Sequence, residues 1–330
     1  MFLIKVQNGK TFRANAGETL LNAAHRANVA LAYSCRTGRC STCKCKVLNG
    51  TTKAQHDELG LNQGERDEGW VLSCVREPLT DVALIADDLQ DLDLPPARTL
   101  ACRIQSLQLL TPDVMKVVLR LPPKSDFRFH AGQYIEVMGN GGVRRSYSVA
   151  NAMNESQWLE LHIRHVPGGV MSQFWFDKAK ENDLLRLNGP LGTFVVRHVA
   201  GNDLVFLATG TGIAPVKAML ENIHTLASDQ MPRSVTVYWG GRVTGDLYWQ
   251  PPTEYAWLQF KPVLSREPAF AGRQGYVQQA FLSEHSDLAQ TVVYACGSAE
   301  MITSAKEALR AAGLPDNSFY ADAFVSSGVE

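Results

Sequence analysis

Apolar and polar positions follow three different periodicities along the chain. Over residues 1–92, "FLIKVQ" and "KTFRAN" have strand character and are separated by Asn8-Gly9, a tight hairpin signal. The stretch "ETLLNAAHRAN" then repeats Leu20, Leu21 and Ala24 at helical spacing. "KVLNGTTK" returns to strand character and carries an Asn49-Gly50 turn. Mixed strands around one short helix predict a small α+β roll. The acidic "DDLQDLDLPPARTL" follows, ending in Pro95-Pro96, and residues 93–98 read as a linker. From 99 to 198 the pattern becomes a series of short strands: "ACRIQSLQLL", "DVMKVVLRL", "QYIEVM", "RSYSVAN", "WLELHIRHV" and "LLRLNG". One helical segment, "VMSQFWFDKA", interrupts it, and the whole predicts an antiparallel barrel. From 199 to 330, strands ("LVFLA", "SVTVYWG", "WLQFKPVL", "TVVYACG") are joined by the helical runs "APVKAMLENIHTL" and "AEMITSAKEALRAAG". That alternation predicts a parallel sheet covered by helices.

Composition narrows the function classes. Lys+Arg 32 against Asp+Glu 33 leave a formal net charge of -1, and no basic run exceeds two residues. The pattern advertises neither nucleic acid nor an anionic membrane. The most apolar stretch, "LVFLATGTGIAPVKAML", is broken by Gly, Pro and Lys and does not read as a membrane span. Lys5 interrupts the apolar start of "MFLIKVQNGKTF", which therefore does not read as a signal peptide, and a soluble cytoplasmic protein is expected. Seven cysteines, odd in number and mostly clustered, argue against a secreted disulfide scaffold.

The cysteine cluster "SCRTGRCSTCKC" is ordered Cys35-x4-Cys40-x2-Cys43, with Cys74 31 residues further on. This is the plant-type spacing of a [2Fe–2S] cluster held by four thiolates. Gly38 and the small Ser41 would let backbone amides approach the sulfides. Zinc is the main rival, although structural zinc sites prefer two close cysteine pairs and Cys74 has no second cysteine beside it. A redox dithiol and a set of buried free thiols remain as alternatives. Cys45, at the start of a strand, and Cys102, in the barrel region, read as packing residues.

A one-electron carrier needs a donor, and the later segments hold candidate features, each ambiguous alone. In "RRSYSVAN", strand alternation puts Arg145 and Tyr147 on one face and Ser146 and Ser148 on the other. A guanidinium suits a pyrophosphate, a phenol ring suits a flat cofactor and a hydroxyl suits a ring nitrogen. An ordinary barrel strand with an exposed arginine has the same pattern. Gly168-Gly169 precedes a helical run with Ser172 in its first turn, where N–H groups could accept a phosphate. Gly210-Thr211-Gly212 follows a strand, with Pro215 near the start of a helix. Pro215 stands where a dinucleotide fingerprint would have its third glycine. Cys296-Gly297 lies at the carboxyl end of a strand, where ligands of open α/β sheets collect and where a buried core cysteine is also common.

The order of these motifs is more specific than any one of them. The cysteine set, "RSYS", "GGVMS", "GPLGTF", "GTGIAP", "YACG" and "YADAF" span the chain and resemble the ferredoxin–NAD(P)+ reductase superfamily with an N-terminal [2Fe–2S] domain. "YSCRTGRCSTC", "HAGQY", "RRSYSVANA", "APVKAML", "VYACGSAEMIT" and "DAFV" are similar to its reductases of deoxysugar synthesis. The resemblance implies a multidomain α+β and α/β chain. Its parts would be a β-grasp [2Fe–2S] domain at 1–92, an antiparallel Greek-key FAD barrel at 99–198 and a parallel-sheet nicotinamide dinucleotide domain at 199–330.

It further implies that Cys35, Cys40, Cys43 and Cys74 hold the cluster. Arg145 would contact the FAD pyrophosphate, Tyr147 would pack on the isoalloxazine and Ser148 would lie near its N5, with Ser146 in the same motif. Gly169, Met171 and Ser172 match the motif that holds the flavin phosphates, and Gly210, Thr211 and Gly212 the nicotinamide loop. Cys296, with Gly297, would stand near the hydride path, and Phe324 would stack on the flavin face. Ser265 and Arg266 occupy the place of NADPH 2′-phosphate ligands, whereas the deoxysugar reductases imply NADH. The implied activity is an NAD(P)H-dependent reductase passing electrons through FAD and [2Fe–2S] to a protein docking near Arg36 and Arg39 of the cluster loop. The implied acceptor is the PMP-dependent dehydrase of 3,6-dideoxysugar (CDP-ascarylose-type) synthesis. The alternatives are a multicomponent aromatic or alkane oxygenase as acceptor, and a non-catalytic electron carrier or redox sensor.

Overall fold

A computed structural model describes residues 1–87, 89, 92–197, 199–315 and 317–324. The chain forms two compact units, one of residues 1–94 joined by the strand end from Asp322, and one running from Pro95 to Ala321.

In the first unit, β1 (Phe2–Val6) and β2 (Thr11–Ala14) form the expected hairpin, with Gly9 at φ +88 in the turn. Helix α1 (Leu20–Arg26) is capped by Thr19, whose side chain accepts from the Asn22 amide, and buries Leu20, Leu21, Ala23 and Ala24. Four strands follow, β3 (Lys44–Asn49), β4 (Thr52–Ala54), β5 (Trp70–Leu72) and β6 (Arg76–Pro78), with the short α2 (Gln63–Asp67) between β4 and β5. β7 (Val82–Ala86) completes a five-stranded sheet of order β2-β1-β7-β3-β5. β1 and β7 run parallel at its centre, with Ile4, Val6 and Leu84 fully buried between sheet and helix. The Asn49-Gly50 turn does not make a hairpin of β3 and β4, because β4 leaves the sheet and pairs with β6. The alternating pattern of "DVALIA" carries β7, which the sequence reading passed over, as it did α2 and the three-residue strands.

The second unit begins with the barrel: β8 (Arg98–Thr111), β9 (Val114–Arg120), β10 (Tyr134–Met138), β11 (Arg144–Ser148), β12 (Trp158–Arg164) and β13 (Leu184–Leu191). All pairings are antiparallel in the order β11-β10-β13-β8-β9-β12, and a bridge between Val149 and Leu161 joins the two ends. Closure removes the exposed edges and encloses Ile104, Val117, Leu119, Ile135, Val137, Leu161 and Leu187. The helical run is two pieces. α3 (Val170–Gln173) continues into a wider turn through Lys178, where the Ala179 amide donates to the carbonyl of Phe174, five residues back.

The remainder is the predicted parallel sheet: β14 (Asp203–Thr209), α4 (Ile213–His224), β15 (Ser234–Gly241), β16 (Leu258–Leu264), β17 (Arg273–Gln274), α5 (Val277–Glu284), β18 (Thr291–Ser298), α6 (Ala299–Ala311) and β19 (Phe319–Phe324). Its order is β17-β16-β15-β14-β18-β19. β14 to β16 step one way and β18 returns to the other side of β14, so strand order reverses between β14 and β18. In an open α/β sheet that reversal opens a crevice at the strands' carboxyl ends. No helix among the described residues is long and apolar enough to cross a membrane.

Candidate functional site

The loop between α1 and β3 carries three of the cysteines, and Cys74 follows β5. Arg36, Gly38 and Ser41 all take positive φ (57, 75 and 56), which curls the loop tightly. Gly38 is required twice over, since a Cβ there would lie 2.5 Å from the Asp57 carbonyl oxygen. The curl turns amides inward: the Cys35 amide donates to Cys40 Sγ and the Thr37 amide to Cys35 Sγ, each at 3.4 Å. The sulfurs fall into two pairs. Cys35 hydrogen-bonds with Cys40, which holds the Cys35 thiol down at about 5 and pushes Cys40 up. Cys43 and Cys74 make the second pair, with Cys74 lowered by its bond to Cys43 and Cys43 raised by it.

Two pairs suit a two-iron cluster that takes two thiolates per iron, whereas zinc needs its ligands converging on one point. Among the described residues no three His, Cys, Asp or Glu side chains converge in that way. Inward amides, and one lowered thiol in each pair, suit an anionic cluster, so the donor set fits it. Cys45 and Cys102 are core residues, 1% and 2% exposed, and burial pushes both thiols up to about 12. One supporting pair escaped the sequence reading. Buried Glu58 accepts from the Leu72 amide at 2.6 Å and binds Arg76 at 2.5 Å, gripping the Cys74 segment from both sides.

On β11, Arg145 and Tyr147 lie opposite Val137 and Ile135, and Ser146 and Ser148 opposite Glu136 and Tyr134, the alternation read from sequence. Trp175 Nε1 donates to the Tyr147 hydroxyl at 2.9 Å, tying the helical segment after Gly169 to the "RSYS" strand. Burial pushes the Tyr147 phenol up to about 12. Met171 belongs to the barrel core and packs on Gly139, where a Cβ would come within 2.3 Å of its sulfur. Ser172 Oγ accepts from the Val166 amide at 2.7 Å, and Gly168 at φ +76 makes the turn before Gly169. The side chains of Met171 and Ser172 thus shape this loop, leaving its amides at the helix start.

The sheet crevice gathers the third set. A Cβ on Gly212 would sit 2.2 Å from the carbonyl oxygen of Cys296, and one on Gly297 2.1 Å from Thr209 Oγ1. Gly210, Thr211, Gly212, Cys296 and Gly297 therefore meet where strand order reverses. Cys296 itself is fully buried. The barrel also reaches this loop, because Arg164 at the end of β12 lies against Gly210 and pairs with Asp113 at 3.0 Å. Ser265 and Arg266 are exposed after β16, beside Gly241 and Arg242, whose backbone they bond. Asp246 grips the Arg242 side chain at 2.9 and 3.0 Å. Phe324 ends β19 and is 36% exposed.

A buried charged group joins barrel and sheet behind these loops, another feature the sequence pattern hid. Lys217 of α4 donates to Glu221 at 2.7 Å and to the Ala150 carbonyl at 2.9 Å, and lies 3.3 Å from Glu160. Buried His162 bonds Glu160 through Nε2 at 2.8 Å and Tyr248 through Nδ1 at 3.2 Å. Burial lowers His162 below its ordinary 6.5 and keeps it neutral, so Nε2 donates and Nδ1 accepts the Tyr248 hydroxyl. Burial would raise the Glu160 carboxyl, but His162 and Lys217 outweigh it and hold it low. Both shifts mean that the unfolded chain binds more protons on acidification, so stability falls as pH drops below about 6.5. We expect the melting temperature of this unit to fall by a few degrees per pH unit between pH 6.5 and 5, since one proton contributes at most about 1.4 kcal/mol per unit. His162→Gln should flatten that slope, and a slope unchanged in the variant would remove His162 as its source.

Comparison with known proteins agrees with this geometry. Residues 4–79 match the 2Fe-2S iron-sulfur cluster binding domain, 101–196 the oxidoreductase FAD-binding domain and 206–307 the oxidoreductase NAD-binding domain. The chain is 36% identical to the CDP-6-deoxy-L-threo-D-glycero-4-hexulose-3-dehydrase reductase of Yersinia pestis over 97% of each chain. It is 32% identical to reductase component 1 of the terephthalate 1,2-dioxygenase of Comamonas, covering 96% of this chain and 95% of that one. The crystal structure of an Amycolatopsis cytochrome P450 reductase superposes with a TM-score of 0.78 at 30% identity, covering 99% of this chain and 100% of that one. The three domain matches bear out a [2Fe–2S] cluster, FAD and NAD(H) as cofactors, and the resemblance to CDP-6-deoxy-Δ3,4-glucoseen reductase stands. A non-catalytic carrier is thereby set aside: the chain is an NAD(P)H oxidoreductase that hands electrons to a partner. It belongs to the family of iron–sulfur flavoprotein reductases that join a [2Fe–2S] domain to FAD-binding and NAD-binding oxidoreductase domains.

Proposed function

We propose that the chain draws electrons from NADH and delivers them singly to a PMP-dependent dehydrase of 3,6-dideoxysugar (CDP-ascarylose-type) synthesis. The observation behind this acceptor is the 36% identity to a dehydrase reductase along 97% of both chains. When bound, FAD accepts two electrons as a hydride and returns them one at a time, and the cluster carries one. The protein's part is holding and orienting. Cys35, Cys40, Cys43 and Cys74 bind the irons, two thiolates each. Arg145 holds the FAD pyrophosphate, Tyr147 supports the ring from a position fixed by Trp175, Ser148 serves N5, and Ser146 sits on the opposite face from Arg145. The Gly169–Ser172 turn offers amides to the phosphates, with Met171 anchoring it in the core. Gly210–Gly212, Cys296 and Gly297 form the crevice for nicotinamide. The divisions that suit these roles are 1–92, 99–198 and 199–330, with 93–98 as linker.

NADH is favoured by the surroundings of Ser265 and Arg266. Glu267, next in sequence, accepts from the Thr244 amide at 2.6 Å and the Thr244 hydroxyl at 2.8 Å, placing a carboxylate where a 2′-phosphate would need cations. Arg242 is already neutralised by Asp246. The test is anaerobic NADH oxidation with the dehydrase and its CDP-hexulose substrate, in parallel with a terephthalate-type oxygenase component. Turnover with the dehydrase, at a kcat/KM for NADH at least tenfold above that for NADPH, is the expected result. Turnover with the oxygenase alone would give the acceptor to the second reading, which the 32% identity supports.

Arg145→Ala should lower flavin content on purification, by about 10- to 100-fold in affinity for one charge-assisted contact. A full complement of FAD in that variant would remove Arg145 from the site.

A further inference from the structure

The chain leaves the "RSYS" strand as Val149-Ala150-Asn151-Ala152, and this short segment is held twice. The barrel holds it from β12: the Ala150 amide donates to the Glu160 carbonyl at 2.7 Å, and Asn151 Oδ1 accepts from the Glu160 amide at 2.7 Å. Helix α4 supplies the second hold. Lys217 Nζ donates to the Ala150 carbonyl at 2.9 Å, and Glu221 Oε2 accepts from the Ala152 amide at 2.8 Å. One turn apart on the helix, the two side chains also bond each other at 2.7 Å through Glu221 Oε1. They therefore grip the segment as one unit. Both ends of this clamp lie close to the functional loops. Ser148 precedes Ala150 by two residues, and Gly212 precedes Lys217 by five, with α4 starting directly behind it at Ile213. Arg164 also reaches Gly210 from the barrel, but its pair with Asp113 is partly exposed and screened by water. The Lys217 side chain is only 14% exposed.

We infer that Lys217 and Glu221 are positioning residues for hydride transfer: their grip on Ala150 and Ala152 sets the distance between the flavin strand and the nicotinamide loop. The inference rests on the proposed relay, in which Ser148 serves flavin N5 and Gly210–Gly212 faces the nicotinamide. In that step a C–H bond of the dihydronicotinamide breaks and an N–H bond forms at N5. NADH becomes NAD+, and both electrons pass with the hydrogen to FAD. Such a transfer needs its reacting atoms about 3–3.5 Å apart, and an error of about 1 Å costs on the order of a hundredfold. Two cofactors carried on different elements meet that tolerance only if the elements are fixed to each other. The clamp does this with little slack, because it seizes main-chain atoms rather than a rotatable side chain. It grips backbone on the flavin side and belongs to the helix on the nicotinamide side. Its loss should therefore appear in the rate of transfer and not in affinity for either cofactor.

The test is anaerobic stopped-flow reduction of the holoenzyme's flavin by NADH. It is read at the flavin bands and at the long-wavelength charge-transfer absorption of a stacked nicotinamide–flavin pair. Lys217→Met should slow bleaching about 10- to 100-fold and weaken the charge-transfer band. Flavin content should be unchanged and the Kd for NADH within about threefold of wild type. Glu221→Ala should slow the step in the same way, whereas Glu221→Gln should stay near wild type, because its amide oxygen still accepts from the Ala152 amide. Lys217→Met combined with Glu221→Ala should be little slower than Lys217→Met alone, since the two act together. Hydrogen exchange of the resting, oxidised protein gives a readout apart from turnover. The peptide carrying the Ala152 amide should exchange about tenfold faster in Glu221→Ala and at the wild-type rate in Glu221→Gln. Lys217→Met leaves the Glu160 carboxylate buried without its cation, so Lys217→Met with Glu160→Gln takes its place if the single variant loses its fold. A folded Lys217 variant with the wild-type bleaching rate and charge-transfer band overturns the clamp. Slowing matched by an equal loss of NADH affinity also overturns it, since the lysine would then be only structural. Wild type whose flavin NADH does not bleach overturns the relay itself.

Discussion

Cys74→Ala is expected to yield protein with flavin but without the visible [2Fe–2S] bands, and with acceptor reduction at background. Cys74 supplies half of one sulfur pair, and its partner Cys43 is a thiol that burial and the pairing itself push up. Alone, Cys43 would have to lose its proton and hold an iron without help, so loss should exceed the roughly 10- to 100-fold penalty of disturbing an outer-shell partner. NADH–dye turnover should stay within about twofold of wild type, because the Gly210–Gly212 loop and β11 belong to the other compact unit. Iron and sulfide analysis, the visible spectrum and both activities decide the matter. Equal loss of dye and acceptor activity would contradict separable roles for the two units.

Gly212→Ala should nearly abolish flavin reduction by NADH. Its added methyl would stand 2.2 Å from the Cys296 carbonyl oxygen and 2.6 Å from the carbonyl carbon. Both belong to the backbone of β18, so no side-chain rotation can clear the contact. Either strand and loop separate or the start of α4 shifts, and both displace the crevice between β14 and β18. The strain should cost about 1–3 kcal/mol of stability, and misplacing the loop by about 1 Å should slow hydride transfer on the order of a hundredfold. Gly245→Ala is the control, since a Cβ there meets nothing within 4 Å. Stopped-flow bleaching of flavin by NADH separates the two variants, and wild-type rates in Gly212→Ala would mean that the approach of loop to strand does not govern the site.

The sequence was informative where one local pattern dictates one structure. Cysteine spacing announces the cluster because three of the four ligands sit on a single loop. Alternation in "RRSYSVAN" sorted its side chains correctly because strand faces repeat every two residues. Strand and helix alternation located the crevice, since glycines at strand ends mark close backbone approach. Long-range pairings were illegible. Nothing near Glu58 announces Arg76, 18 residues on, and nothing in β12 announces that His162 and Glu160 will meet Lys217 and Tyr248. Short or mixed elements were lost for another reason. α5, "VQQAFLSE", has too few apolar residues to set a period, and β17 is two residues long. The motif assigns Met171 and Ser172 to the phosphate-holding turn, and the packing of Met171 on Gly139 and the bond from the Val166 amide to Ser172, which shape that turn, are not legible in it.

The sulfur pairing also bears on how the first unit stays folded. Cys35 and Cys40 are near neighbours, but Cys43 and Cys74 stand 31 residues apart. Anchoring the latter two to the same iron closes a loop holding β3, β4, α2 and β5, as a disulfide of that span would. Such a closure subtracts about 3–4 kcal/mol of chain entropy from the denatured ensemble. The inorganic centre is then a staple as well as a wire, and a chelator that strips it should leave a chain easier to melt.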